Sequence, residues 1–181
     1  MRKAIAAVLL LIGCSHVANA IDDPQQRAEM LNTCRDADPR EAIVACTFLI
    51  EMPGTEVLAS HYLYRGIAYH KLKQFADALR NFNLAIEAHG PDSRLVGWRA
   101  RAHDGLGQIE RAITETDYAI RLSASPSAAM LLSRGILYER NGQLDRAFDD
   151  FNAALETSDS TKSLGSILGH RGIVRSKRKD F

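Results

Sequence analysis

The feature that most constrains this chain is a register of small and large residues that keeps returning. Arg65-Gly66, Arg99-Ala100, Arg134-Gly135 and Arg171-Gly172 stand 34, 35 and 37 residues apart. Alanines follow in step at Ala78, Ala112 and Ala147, and again at Ala85, Ala119 and Ala154. Tyr62, Tyr69 and Phe82 surround the small positions of the first copy, as Leu131, Tyr138 and Phe151 do in the third. A column that admits only small side chains marks a line where two helices approach closely. A period near 34 residues is that of stacked antiparallel helix pairs. No strand-like alternation of useful length interrupts the pattern, so the expected class is all-α.

These residues resemble the tetratricopeptide repeat family, whose pattern is W-x2-L-G-x2-Y followed by Ala, Phe and Ala. The resemblance runs from about Ala59 to Phe181. It implies a right-handed superhelical array of helix pairs: about three full units, a degenerate N-terminal unit and a C-terminal half unit. Two departures stand out. Arg65, Arg99, Arg134 and Arg171 occupy the family's leucine column, and Val96, Thr116 and Arg175 replace aromatic residues.

The expected divisions are a leader over 1–20, a degenerate helix pair over 21–58, units over 59–92, 93–127 and 128–164, and a partial unit or capping helix over 165–181. Asp38-Pro39-Arg40-Glu41 specifies a helix start, with Asp38 as cap, Pro39 in the first turn and Glu41 placed for a capping box. Pro53-Gly54, Gly90-Pro91, Ser125-Pro126 and the polar run Thr157 to Ser163 separate the units, with Thr55 and Ser125 as further caps. Ser166 to Lys179 reads as a terminal capping helix. Phe181 aligns with Phe75 and Leu144, which leaves a truncated gene or an end completed by a partner helix as alternatives.

The first residues form a separate segment. Arg2 and Lys3 precede the apolar run Ala4 to Gly13, ten residues and short for a bilayer span of about 20. Ala18-Asn19-Ala20 is a small-x-small cleavage site that would leave Ile21 first; Leu11-Ile12-Gly13-Cys14 is a lipoprotein-like box that would leave Cys14 lipidated. Both readings place the mature protein outside a bacterial cytoplasm, periplasmic or otherwise extracytoplasmic, and a membrane is a partner only if Cys14 is lipidated. Cys34 and Cys46 then remain as an even pair in an oxidising compartment and are expected to form a disulfide, the alternative being two small buried residues.

Charge and motifs narrow the function. With 23 basic and 22 acidic residues, net +1, the chain has no global field that favours nucleic acid. The terminal cluster Arg171, Arg175, Lys177, Arg178 and Lys179 reads as a solvated helix face. His61, His70, His89, His103 and His170 show no metal-ligand spacing, and neither a metal nor a cofactor is expected. No serine stands in a nucleophile turn, and Gly105-Leu106-Gly107 lacks the strand and third glycine of a phosphate loop. Asp149-Asp150 are helix neighbours that point in different directions, too little for an envelope enzyme such as a glycan hydrolase. Trp98 is expected between repeats, with stacking on Arg94 or Arg101 as the alternative.

The expectation is therefore a non-enzymatic scaffold for a protein or peptide partner, or a lipid-anchored assembly factor of the bacterial envelope. Its family resemblance implies that the first helix of each unit lines a concave groove. By register these residues are Leu63, Ile67, His70 and Lys71 in one unit, and Arg94, Arg101 and Asp104 in the next. Leu132, Ile136, Glu139 and Arg140 follow, and then Ile173 and Lys177. That mixture of aliphatic and cationic groups suits a peptide with apolar and acidic side chains. The asparagines of the family's carboxylate-clamp subtype are absent, so a C-terminal acidic peptide is not specially indicated.

Overall fold

The computed structural model describes residues 24–52, 58–157 and 161–178. The expected leader with Cys14, the breaker Pro53-Gly54 with Thr55, and Lys179 and Phe181 lie outside the described residues. Within them the chain is an array of antiparallel helix pairs. The first pair is α1 (Pro24–Asp36) and α2 (Pro39–Glu51), and the second is α3 (Ala59–Lys71) and α4 (Phe75–His89). They are followed by α5 (Ser93–Gly105) and α6 (Ile109–Leu122), then α7 (Ala128–Arg140) and α8 (Leu144–Glu156), and lastly α9 (Thr161–Arg178).

Local chemistry sets these boundaries. Asp38 caps α2 by accepting from the Arg40 N–H at 3.0 Å, with Pro39 in the first turn. Asp92 caps α5 by accepting from the Leu95 N–H at 2.7 Å. Ser127, rather than Ser125, caps α7 through the Met130 N–H, because the helix opens at Ala128, after Pro126. The turns inside the units bend at equivalent residues: Lys73, Gly107 and Gly142 have φ of 60°, 73° and 74°. Glycine adopts that left-handed conformation freely, whereas Lys73 does so under strain. At the far end α9 starts at Thr161, so part of the expected linker Thr157 to Ser163 is helical.

Packing follows the small column. Gly66 lies against Phe82 and Gly135 against Phe151, so close that an added Cβ would stand 2.6 and 2.5 Å from the ring. Phe82, Phe151, Ala78, Ala85, Ala147 and Ala154 are fully buried around these contacts. Cys34 and Cys46 form a disulfide, with S–S 2.07 Å and Cα–Cα 4.8 Å. It ties α1 to α2 within a small core that also holds Ala45 and Leu49.

The arginines in the leucine column have a structural role of their own. Each donates to the second helix of its own unit, sixteen residues on: Arg65 to Asn81, Arg99 to Glu115, Arg134 to Asp150. Each also reaches back to the second helix of the preceding unit, at Thr47, Asn83 and Asp117. The column therefore links units where the usual leucine would only fill space.

Candidate functional site: the cleft between α5 and α7

First helices of neighbouring units pack together at α1–α3, α3–α5 and α7–α9, and less closely at α5–α7. Between them lies an open cleft of about 610 Å³. Its walls are Arg94, Trp98 and Arg101 of α5 and Met130, Ser133 and Ile136 of α7; Thr116 and Ala119 of α6 form the floor.

The floor is deep because of one replacement. Thr116 stands where the neighbouring units hold Phe82 and Phe151. Its hydroxyl donates to the Ala112 carbonyl at 2.8 Å, so its polar atom is satisfied within the helix. A threonine in place of a ring removes volume that no neighbour restores, and Ala100 rather than glycine across from it adds back only a methyl group. Gly97 keeps the α5 wall open as well, since a Cβ there would meet nothing within 4 Å.

Trp98 is the aromatic residue of the cleft lining. The Arg101 guanidinium lies 4.7 Å from its ring centroid, the His70 ring meets its edge at 5.8 Å, and Phe82 stacks behind at 6.0 Å. It is half-buried and faces the cleft, so burial between repeats is only part of its environment and the stacking on Arg101 is the rest. Burial pushes His70 below the usual imidazole range, and the nearby Arg101 charge adds to this. The ring is therefore neutral at pH 7. Arg94 and Arg101 are exposed and form no ion pair among the described residues. Asp104 is paired with Arg140 across the C-terminal ends of α5 and α7, which closes that end of the cleft.

The residues carried over by register thus divide. Arg94, Arg101, Asp104 and Ile136 line the cleft. Leu63 does not belong to a groove: it is 1% exposed and packs with Phe82 and Leu95 in the core. Ile67 and Leu132 are partly buried against core clusters, Lys71 is exposed, and His70 serves as a buttress for Trp98. Glu139 and Lys177 are consumed by each other at 2.8 Å, with His170 Nδ1 at 2.9 Å from the same carboxylate. Burial raises the Glu139 carboxyl, but hydrogen bonds from Lys177 and His170 outweigh it and hold it below the usual range. Ile173 stays exposed on α9.

Sequence reasoning missed Trp98, Met130, Ser133 and the floor as cleft residues. Arg94, Gly97, Trp98, Arg101 and Asp104 recur at three- and four-residue steps, the spacing of a single helix face, and that signal was available. Among the described residues no group of three or more His, Cys, Asp or Glu is placed to hold a metal.

Comparison with known proteins follows the same lines. Residues 99–161 match the family model described as Tetratricopeptide repeat. Heat shock protein STI1 of Saccharomyces cerevisiae is 33% identical over 110 residues, covering 60% of this chain and 18% of that protein. Human Tetratricopeptide repeat protein 13 is 29% identical over 144 residues, 75% of this chain and 16% of that one. The chain thus spans less than a fifth of these curated relatives. Among solved structures, MamA superposes with a TM-score of 0.68 at 15% identity, covering 87% of this chain and 85% of its own. The second TPR of Spaghetti (RPAP3), bound to the HSP90 peptide SRMEEVD, gives 0.51 at 26% identity, covering 55% of this chain and 92% of that chain.

Proposed function

Because this chain is a tetratricopeptide repeat protein, we propose that it is a non-enzymatic scaffold that captures a peptide segment of a partner protein in the cleft between α5 and α7. The observation that carries this reading is a cleft with an aromatic face at Trp98, a missing ring at Thr116, and two cations, Arg94 and Arg101, that no carboxylate neutralises among the described residues. A peptide would insert an apolar side chain above Thr116 and place acidic groups on the two arginines. Charge-assisted hydrogen bonds to guanidinium are the strong ones, and a half-desolvated aromatic surface supplies apolar contact. The SRMEEVD peptide held by the second TPR of Spaghetti is acidic as well. Here the acidic groups are expected within the segment, beside an apolar anchor.

The compartment we propose is outside the cytoplasm. The leader read in residues 1–20 and the Cys34–Cys46 disulfide support it, since such bonds persist where the surroundings are oxidising. A lipid anchor at Cys14 is the second reading, favoured by Leu11 to Cys14. Retention of a Cys14→Ala variant with membranes would exclude it.

Selection from a displayed library of random peptides tests the cleft. Enriched sequences should combine acidic residues with one large apolar residue, and Arg101→Glu and Ile136→Glu should each lose them with helicity unchanged. Enrichment that both variants retain would place binding elsewhere.

A further inference from the structure

The first helix pair is held together differently from the others. Every helix from α2 to α8 buries four residues. Among the described residues of α1 one is buried, Cys34, and it is the residue bonded to Cys46. Ala28 and Leu31 of the same helix are exposed, and Met30 is only partly covered against the small core. The Thr33 hydroxyl donates to the Glu29 carbonyl, and Arg35 donates to Asn32 and Asp36, so these polar contacts stay inside the helix.

What the pair lacks is a ring. In the second and fourth pairs a phenylalanine of the second helix packs on a glycine of the first, Phe82 on Gly66 and Phe151 on Gly135. Ala42, Cys46 and Leu49 repeat the spacing of Ala78, Phe82 and Ala85, so Cys46 stands in the phenylalanine column and a covalent bond takes the place of the apolar wedge. The two attachments differ in kind, because a ring contact does not respond to a reductant and a disulfide does. A helix of 13 residues is marginal on its own in water, and a segment with few buried apolar contacts opens at little cost.

We propose that the Cys34–Cys46 bond is a redox latch on α1: the helix is docked while the bond stands, and on reduction it leaves α2 and unfolds, whereas the units from α3 onward keep their fold. The reductant is a dithiol. One of its thiolates attacks the Sγ of Cys34 or Cys46 and displaces the other as a thiolate; its second thiol then attacks the mixed disulfide. The dithiol leaves oxidised to a disulfide, and the chain gains two electrons and, on protonation, two thiols. Cys34 and Cys46 are 1% and 0% exposed, so the attack waits on a local opening of α1. Departure of the helix uncovers Ala45, Cys46 and Leu49 of α2 and the Tyr64 ring of α3. A chain in reducing surroundings would have α1 undocked, so closure of the latch would accompany arrival in an oxidising compartment. The cleft begins two pairs further along, so latch and cleft can be tested apart.

Amide hydrogen exchange reads the latch directly. The full chain would carry Cys14→Ala, so that Cys34 and Cys46 are its only cysteines, and would be followed oxidised, reduced with dithiothreitol, and reoxidised. Amides of residues 24–36 should exchange about a hundredfold faster after reduction, the order expected on losing a bond that closes so short a loop. Protection in α5 to α8 should stay as it was, and reoxidation should restore slow exchange in α1. Adding Cys34→Ala with Cys46→Ala should give the fast exchange without reductant, and dithiothreitol should then change nothing. Protection of 24–36 that survives reduction overturns the proposal, because other contacts would then hold the helix. Fast exchange of 24–36 in the oxidised chain overturns it as well, since α1 would not be docked to begin with. Loss of protection from α5 to α8 on reduction would show that the bond supports the whole array rather than one helix, and failure of reoxidation to restore α1 would show that the change is not a switch; either result also overturns it.

Discussion

Arg134 shows what a single residue contributes here. Its guanidinium donates two bonds to Asp150 and one to Asp117 of the preceding unit, and these carboxylates hold it protonated. Asp150 is 5% exposed. Arg134→Ala would leave that carboxylate buried and uncompensated, at a cost of about 3 kcal/mol, while Arg134→Leu with Asp150→Leu should recover most of it. Arg65 meets neutral groups, the Asn81 and Thr47 side chains and the Tyr62 ring, so Arg65→Leu should cost about 1 kcal/mol. Urea denaturation of the variants checks the ranking; equal losses at both sites would contradict it.

The histidines give a pH dependence at the same scale. Burial lowers the pKa of His61, whose Nδ1 accepts from the Leu58 N–H at 3.2 Å at the start of α3, and burial lowers that of His70 too. A base with a lowered folded pKa contributes stability that is present above its unfolded value, about 6.5, and is lost as pH falls through the folded one. Urea midpoints should therefore drop as pH falls below about 6.5, and His61→Asn should reduce the drop. Glu139, also lowered, adds to the loss only at lower pH, below the carboxylate range.

At the scale of elements, the small column distinguishes covered from open faces. Gly135→Ala places a methyl against the Phe151 ring and should cost about 1–3 kcal/mol, whereas Gly172→Ala meets nothing and should gain about 0.5–1 kcal/mol from helix propensity. Circular dichroism melts of the two variants should move in opposite directions. The register that makes this comparison possible was fully legible in the sequence, because close helix contacts demand small residues at fixed intervals. What replaced the leucine column was not. The in-step residues Asn81, Glu115 and Asp150 were visible, but that each faces an arginine sixteen residues earlier follows from how the turn brings the two helices together. The depth of the cleft escaped for a related reason. Thr116 was visible as a departure, yet a missing ring becomes a cavity only if no neighbour moves in, which is a property of packing. Leu63 failed in the opposite sense: its helix has a groove side, but the residue itself points at Phe82.

For the molecule as a whole, the helix pairs supply a surface and the cleft is where that surface departs from regular repetition. Its regular neighbours bury phenylalanine against glycine, and only the α5–α6 unit holds Ala100 and Thr116 in those places. The double change Ala100→Gly with Thr116→Phe restores the arrangement of the two flanking units, so it should fill the floor without loss of stability. The measurement that tests the central claim most directly uses Trp98, the sole tryptophan of the chain and part of the cleft wall. Its fluorescence would be followed while an acidic, apolar peptide obtained by selection is titrated into the wild type and into the Ala100→Gly/Thr116→Phe variant. A saturable change in the wild type that the filled variant lacks is the predicted result. Tight binding that leaves Trp98 emission unchanged, or that survives with the floor filled, would contradict the assignment of the cleft as the binding site.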